Sequence, residues 1–149
     1  MIHRNKAQEP FVLDATLALA WCFSDEATTY SQGVLLALRH RHAVVPATWF
    51  FDISRALLTA SQRHHAITGA GIAAFLQRLR HLPIHIDYTP AVDNWTALLP
   101  AQLLPAITAY DLPYLALARR EQLSLATLDD GLRAAARASG VKLVEVVAG

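Results

Sequence analysis

Four aspartates, far apart in the chain, stand at places where an acid needs a reason. Asp14 ends the apolar run "FVLD", Asp129 ends "LSLATLD", Asp111 opens "DLPYLALA", and Asp52 lies about one turn into "ATWFFDISRALL". A carboxylate facing a protein interior is costly unless its charge is compensated. At helical spacing Asp111 shares a face with Tyr114, Leu115 and Ala118, and Asp52 shares one with Trp49 and Ala56. Carboxylates gathered without a cation raise one another's pKa values by repulsion. A hard divalent cation with oxygen ligands, Mg2+ or Mn2+, removes that repulsion. An ion held this way can activate water and stabilise phosphoryl charge, which is the chemistry of phosphodiester hydrolysis.

The same acids also have an architectural reading. Thr108-x-x-Asp111 and Thr127-x-x-Asp130 both match a capping box, in which the acid serves a helix N-terminus. Asp14 has no such task in view. Asp25, Glu26, Asp87, Asp93, Glu121 and Glu145 stand in polar contexts and are expected to be solvated.

The elements that would position these acids follow from short apolar runs alternating with helical spacing. Strands are expected at "FVLD" (11–14), "AVVP" (43–46), "IHI" (84–86), "LSLATLD" (123–129) and "VKLVEVV" (141–147). Helices are expected over 16–23, 25–41, 47–65, 68–82, 90–104, the stretch 106–120, and 130–140 ending at Gly140. Pro100 breaks or kinks the fifth of these. Such alternation indicates an α/β fold with a mainly parallel sheet covered on both faces. In open sheets of this kind ligands gather beyond the carboxyl ends of the strands, where Asp14 and Asp129 stand.

Composition narrows the class. A chain of 149 residues suits one domain, with residues 1–10 as a loose polar lead-in and 11–149 as the folded unit. It is 54% hydrophobic and 17% charged, and much of the excess is the helix formers Ala and Leu. No apolar run reaches the roughly 18 residues of a membrane span, and "MIHRNKAQEP" lacks the apolar core of a signal peptide. A single cysteine, Cys22, excludes an internal disulfide and a cysteine-based zinc site. A cytoplasmic, non-membrane protein is therefore expected. A net charge of +1 gives no strong global pull on nucleic acid.

Four blocks, "FVLDATLALAWCF", "VPATWFFDISRALL", "ITAYDLPYLALA" and "LSLATLDDGLRAAAR", resemble in order and spacing the motif blocks of PIN-domain proteins, closest to VapC-type toxins of toxin–antitoxin modules. The resemblance spans about residue 11 to the end, and its most specific part is "TAYDLPYLALA" followed by "LATLD". It implies a three-layer α/β/α sandwich with a Mg2+- or Mn2+-dependent ribonuclease site. The family's first, third and fourth acids map onto Asp14, Asp111 and Asp129, the implied metal ligands. Thr16 matches a hydroxyl residue near the metal, and Thr127 one that precedes the last acid. The second acid is usually Glu. Here it is Asp52, one methylene shorter, which favours a water-bridged role over direct ligation. Asp130 is a possible substitute for Asp129, although the "LATLD" alignment favours Asp129.

Other chemistry finds less support. Seven histidines include "RHRH" (39–42) and "RHH" (63–65), but none forms the i, i+4 pair of HExxH. Arg39, Arg63, Arg78 and Arg80 are candidates for RNA phosphate contacts. Cys22 reads as inert core. "TGAGIAAF" lacks the Lys of a P-loop, and there is no GxSxG elbow. Trp21, Trp49, Phe50 and Phe51 read mainly as core. "TWFFDISRALL" is a candidate surface for an antitoxin helix, which the resemblance implies, or for a homodimer.

Two functions of different class follow. The first is an endoribonuclease toxin in which Asp14, Asp111 and Asp129 hold the metal and Asp52 positions a second metal or the attacking water. The second is a catalytically silent PIN-like protein-binding module, suggested by Asp52 and the low net charge. A receiver domain would need an acidic pair after its first strand, which "VLDAT" does not offer.

Overall fold

The computed structural model describes residues 5, 7–64, 67–90 and 107–147. Strand β1 (Phe11–Leu13) is followed by helices α1 (Ala15–Leu19) and α2 (Thr29–Ala37), then by β2 (Ala43–Pro46), α3 (Trp49–His64) and α4 (Gly69–Arg80). The chain continues through β3 (Ile84–Asp87), α5 (Leu112–Glu121), β4 (Ser124–Ala126) and α6 (Asp130–Ala138). The helix expected over 90–104 lies outside the described residues.

All pairings are parallel, and the sheet order is β3-β2-β1-β4. β1 is central, with Phe11 opposite both Ala43 and Ser124 and Val12 opposite both Val44 and Leu125. Its three side chains are fully buried, as expected of a strand covered on both faces. From β1 the chain builds outward to β3, then returns through α5, which packs on β1, β2 and β4, and lays β4 on the other side of β1. The connections leaving β1 and β4 therefore diverge, which opens a crevice at the carboxyl ends of those two strands. The result is a four-stranded, all-parallel sheet flanked by helices, the architecture expected from the sequence.

Local signals set the helix ends. Thr28 and Ser31 exchange the reciprocal bonds of a capping box and start α2 there rather than at residue 25. α1 stops at Leu19, short of the expected helix, and the chain turns through Cys22, with the Trp21 indole donating to the Ser31 carbonyl at 2.8 Å. Cys22 thus follows the helix and is half-buried. Gln122 adopts a left-handed conformation (φ 55°) that ends α5 before β4, and Gly140 (φ 79°) ends α6 as expected.

The expected strand over 141–147 is reduced to a single parallel bridge, Leu125 to Leu143. The reason lies on its other side. The Tyr30 hydroxyl donates to the Val144 carbonyl at 2.9 Å, and Val146 lies over Gly33, where an added methyl group would stand 2.7 Å from the valine Cβ. The segment is thus shared between α2 and β4, where it keeps the bonds from Leu125 N–H to Lys142 and from Val144 N–H to Leu125, both 2.9 Å. Among the described residues no helix is long and apolar enough to cross a membrane.

Candidate acidic active site

Asp14 directly follows β1, and its backbone N–H extends the ladder by donating to Ala126 at 2.9 Å. The side chain is 4% exposed. Its Oδ2 accepts from Thr16 Oγ1 at 2.5 Å and from Thr127 Oγ1 at 2.6 Å. Thr127 Oγ1 also accepts the Asp129 N–H at 3.0 Å, and Thr16 Oγ1 accepts the Leu128 N–H at 3.3 Å. Two hydroxyls thus lace the start of α1 to the loop after β4. Burial pushes the Asp14 carboxyl above its ordinary pKa; the Thr127 and Thr16 bonds oppose this, and the charge of Asp111 adds to it.

Asp52, in the first turn of α3, is half-buried, and its Oδ2 accepts a 2.6 Å bond from the Tyr114 hydroxyl. Tyr114 is 1% exposed on α5. Burial, the bond to Asp52 and the charges of Asp14 and Asp52 all push its phenol up, so Tyr114 remains a protonated donor.

Asp111 makes the reciprocal bonds expected with Thr108, but in the turn before α5, where Asp111 is itself the N-cap and its side chain caps no helix N–H. Its Oδ2 accepts from Thr108 Oγ1 at 2.8 Å and from Thr108 N at 3.4 Å, while its own N–H donates to Thr108 Oγ1 at 3.3 Å. The second expected box, Thr127 with Asp130, does not form. Thr127 is committed to Asp14, and Asp129 caps α6 by accepting the Leu132 N–H at 2.7 Å. Asp130 is exposed and does not line the pocket that the other acids share.

Asp14, Asp52, Asp111 and Asp129 nevertheless line one pocket of about 260 Å³, together with Thr16 and Tyr114. The sheet switch brings Asp14 and Asp129 together, α3 delivers Asp52, and the start of α5 delivers Asp111. Its oxygen-only donors and a buried, disfavoured carboxylate match the chemistry of a hard divalent cation. As arranged, each acid is held by a hydroxyl or backbone partner. Among the described residues no three Asp, Glu, His or Cys side chains converge into a ready ligand cluster.

Three pocket residues escaped the sequence reading. Tyr114 was legible as a neighbour of Asp111 on its helix face, but not as the partner of an acid 62 residues away. Arg55, three residues after Asp52, and Tyr110 also line the pocket. Trp49 is buried as expected, whereas Phe50 is 39% and Phe51 79% exposed. Among the histidines, His42 and His85 stack with ring centroids 4.7 Å apart, and no ligand group forms among those described.

No family model and no curated protein sequence matches the chain. Its fold is similar to that of a chain of VapBC2 from Rickettsia felis, whose crystal structure contains a DNA fragment from the promoter. The TM-score is 0.64 at 12% identity, covering 93% of this chain and 99% of that one. The fold is PIN-like. In this fold the acidic pocket occupies the switch between β1 and β4, where the general behaviour of open parallel sheets places a ligand.

Proposed function

We propose that the chain is a divalent-metal-dependent endoribonuclease acting as the toxin of a toxin–antitoxin pair. The observation that carries this reading is the gathering of Asp14, Asp52, Asp111 and Asp129 in one pocket at the sheet switch. The fold similarity to VapBC2 supports the toxin–antitoxin setting. Asp14, Asp111 and Asp129 hold Mg2+ or Mn2+, directly or through water. When bound, the ion supplies Lewis acidity to water and to the phosphoryl oxygens. The hydroxyls of Thr16 and Thr127 fix one oxygen of Asp14. Tyr114 fixes Asp52, whose short side chain orients the attacking water. Each acid is bonded to a protein partner, so ligation of an ion would require some of these bonds to be exchanged. The antitoxin covers the exposed Phe50 and Phe51 on α3, beside Asp52.

The test is cleavage of candidate RNAs with Mg2+ or Mn2+ by the parent, Asp14→Asn and Asp111→Asn. The expected result is cleavage by the parent alone, abolished by chelator. Equal activity in all three proteins, or full activity in chelator, would overturn the reading. The absence of a ready ligand cluster among the described residues favours one alternative, a silent PIN-like module that acts through protein contacts. Calorimetric titration with Mn2+ separates the two, since the silent module takes up no ion.

A further inference from the structure

The mouth of the acidic pocket carries a feature that the carboxylates do not explain. Tyr110 is 60% exposed, immediately before Asp111, and the guanidinium of Arg55 lies over its ring, 4.7 Å from the centroid. Both residues line the pocket, and Arg55 is the one cation among its described lining residues. A phosphate approaching four carboxylates is repelled, so an anionic polymer needs a positive anchor at the entrance. An exposed tyrosine ring beside that anchor offers the other half of single-strand recognition, a platform for an unpaired base.

We infer that Tyr110 and Arg55 form a nucleotide-docking subsite for single-stranded RNA, Tyr110 stacking a base and Arg55 taking the adjacent phosphate. The inference rests on the ribonuclease reading and names how its substrate is held. An exposed cation–π contact is weaker than the stacking of a base on an aromatic ring. An arriving base therefore displaces the guanidinium from Tyr110, and the freed fork engages the phosphate in the bidentate manner that suits arginine. A base paired within a duplex keeps its faces stacked on its neighbours, so the platform selects unpaired strands. Neither side chain belongs to the buried core, so both can be changed without disturbing the fold.

The experiment measures binding of a fluorescent single-stranded oligoribonucleotide to the full chain carrying Asp14→Asn, with Mg2+ present, by anisotropy. Adding Tyr110→Ala is expected to weaken binding by about fivefold or more, while Tyr110→Phe and Tyr110→Trp retain it. Adding Arg55→Ala is expected to weaken binding and lower the salt slope, log K against log[salt], by about 0.7. Duplex RNA of the same sequence is expected to bind less tightly and without dependence on Tyr110. Unchanged binding in Tyr110→Ala, equal loss in Tyr110→Phe, or duplex binding as tight as single-strand binding would each overturn the subsite. So would single-stranded DNA binding that ignores Tyr110, since neither the ring nor the guanidinium reads the 2′-hydroxyl. Failure of the ribonuclease reading is visible separately: the parent would bind RNA through Tyr110 without cleaving it. If instead the parent cleaves while Tyr110→Ala binds normally, the subsite alone fails.

Discussion

Two hollows on this molecule differ in almost every respect. The larger, about 1200 Å³, runs beside β4 and the C-terminal segment and is lined mostly by residues 137–147, with Arg41, Arg119, Arg137 and Lys142 set against Glu9 and Glu145. The smaller, about 260 Å³, collects four acids from the ends of β1 and β4 and the starts of α3 and α5. The large one is largely a local product of a segment joined to β4 by a single bridge. The small one exists only because the sheet order brings distant parts of the chain together. Chemistry follows convergence of charge from distant segments, not volume. The large groove mixes both signs of charge, whereas in the small one three carboxylates around the buried Asp14 leave a demand for a cation.

Substitutions in the two hollows are expected to differ in their effect on RNA cleavage. Asp14→Asn is expected to lower RNA cleavage at least about a hundredfold, as loss of a group that holds a catalytic ion does. Arg137→Ala with Lys142→Ala, in the large hollow, is expected to leave cleavage within about twofold. If the second pair abolished turnover and the first did not, the assignment of the site would be reversed. A gel assay of RNA fragments reads both.

Tyr114→Phe tests positioning within the small hollow. It removes the 2.6 Å bond to Asp52 and leaves the ring in the core. Cleavage is expected to fall about tenfold, with stability lowered by about 1–2 kcal/mol in urea melts. No change in rate would mean that Asp52 needs no orientation.

Gly33→Ala tests the large hollow. The added methyl would stand 2.7 Å from the Val146 Cβ, so the C-terminal segment must shift. Crowding of about 1–3 kcal/mol exceeds the gain of up to about 1 kcal/mol for alanine in a helix. A net loss of stability with cleavage unchanged is expected, measured by urea melts alongside the RNA assay.

The smallest effect is on pH dependence. Asp14 has a folded-state pKa above its unfolded value, so between the two the folded state binds more protons. Its contribution therefore falls as pH rises from about 4, the unfolded carboxyl value, through the raised folded value. Asp14→Asn is expected to lack that decline, and Mn2+ is expected to raise the melting temperature of the parent but not of the variant. Thermal melts across pH, with and without Mn2+, check both.

The alternation of strands and helices is legible in the residues alone, because burial on both faces demands continuous apolar runs such as "FVL" and "AVV". The sequence also determined the candidate acids, because an Asp at a strand end or on an apolar helix face stands out against its neighbours. Helix limits were less legible. Whether α1 continues past Leu19 depends on an indole bond to α2, and the strand expected after Gly140 becomes a segment shared between β4 and α2. That Asp129 rather than Asp130 lines the pocket goes with Thr127, whose one hydroxyl donates to Asp14 and accepts the Asp129 N–H. Above all, the pairing of Tyr114 with Asp52 and the stacking of Arg55 on Tyr110 join segments that share no periodicity in the chain. Periodicity reports which way a side chain faces; only the parallel sheet and its switch at β1 and β4 decided what each one meets there.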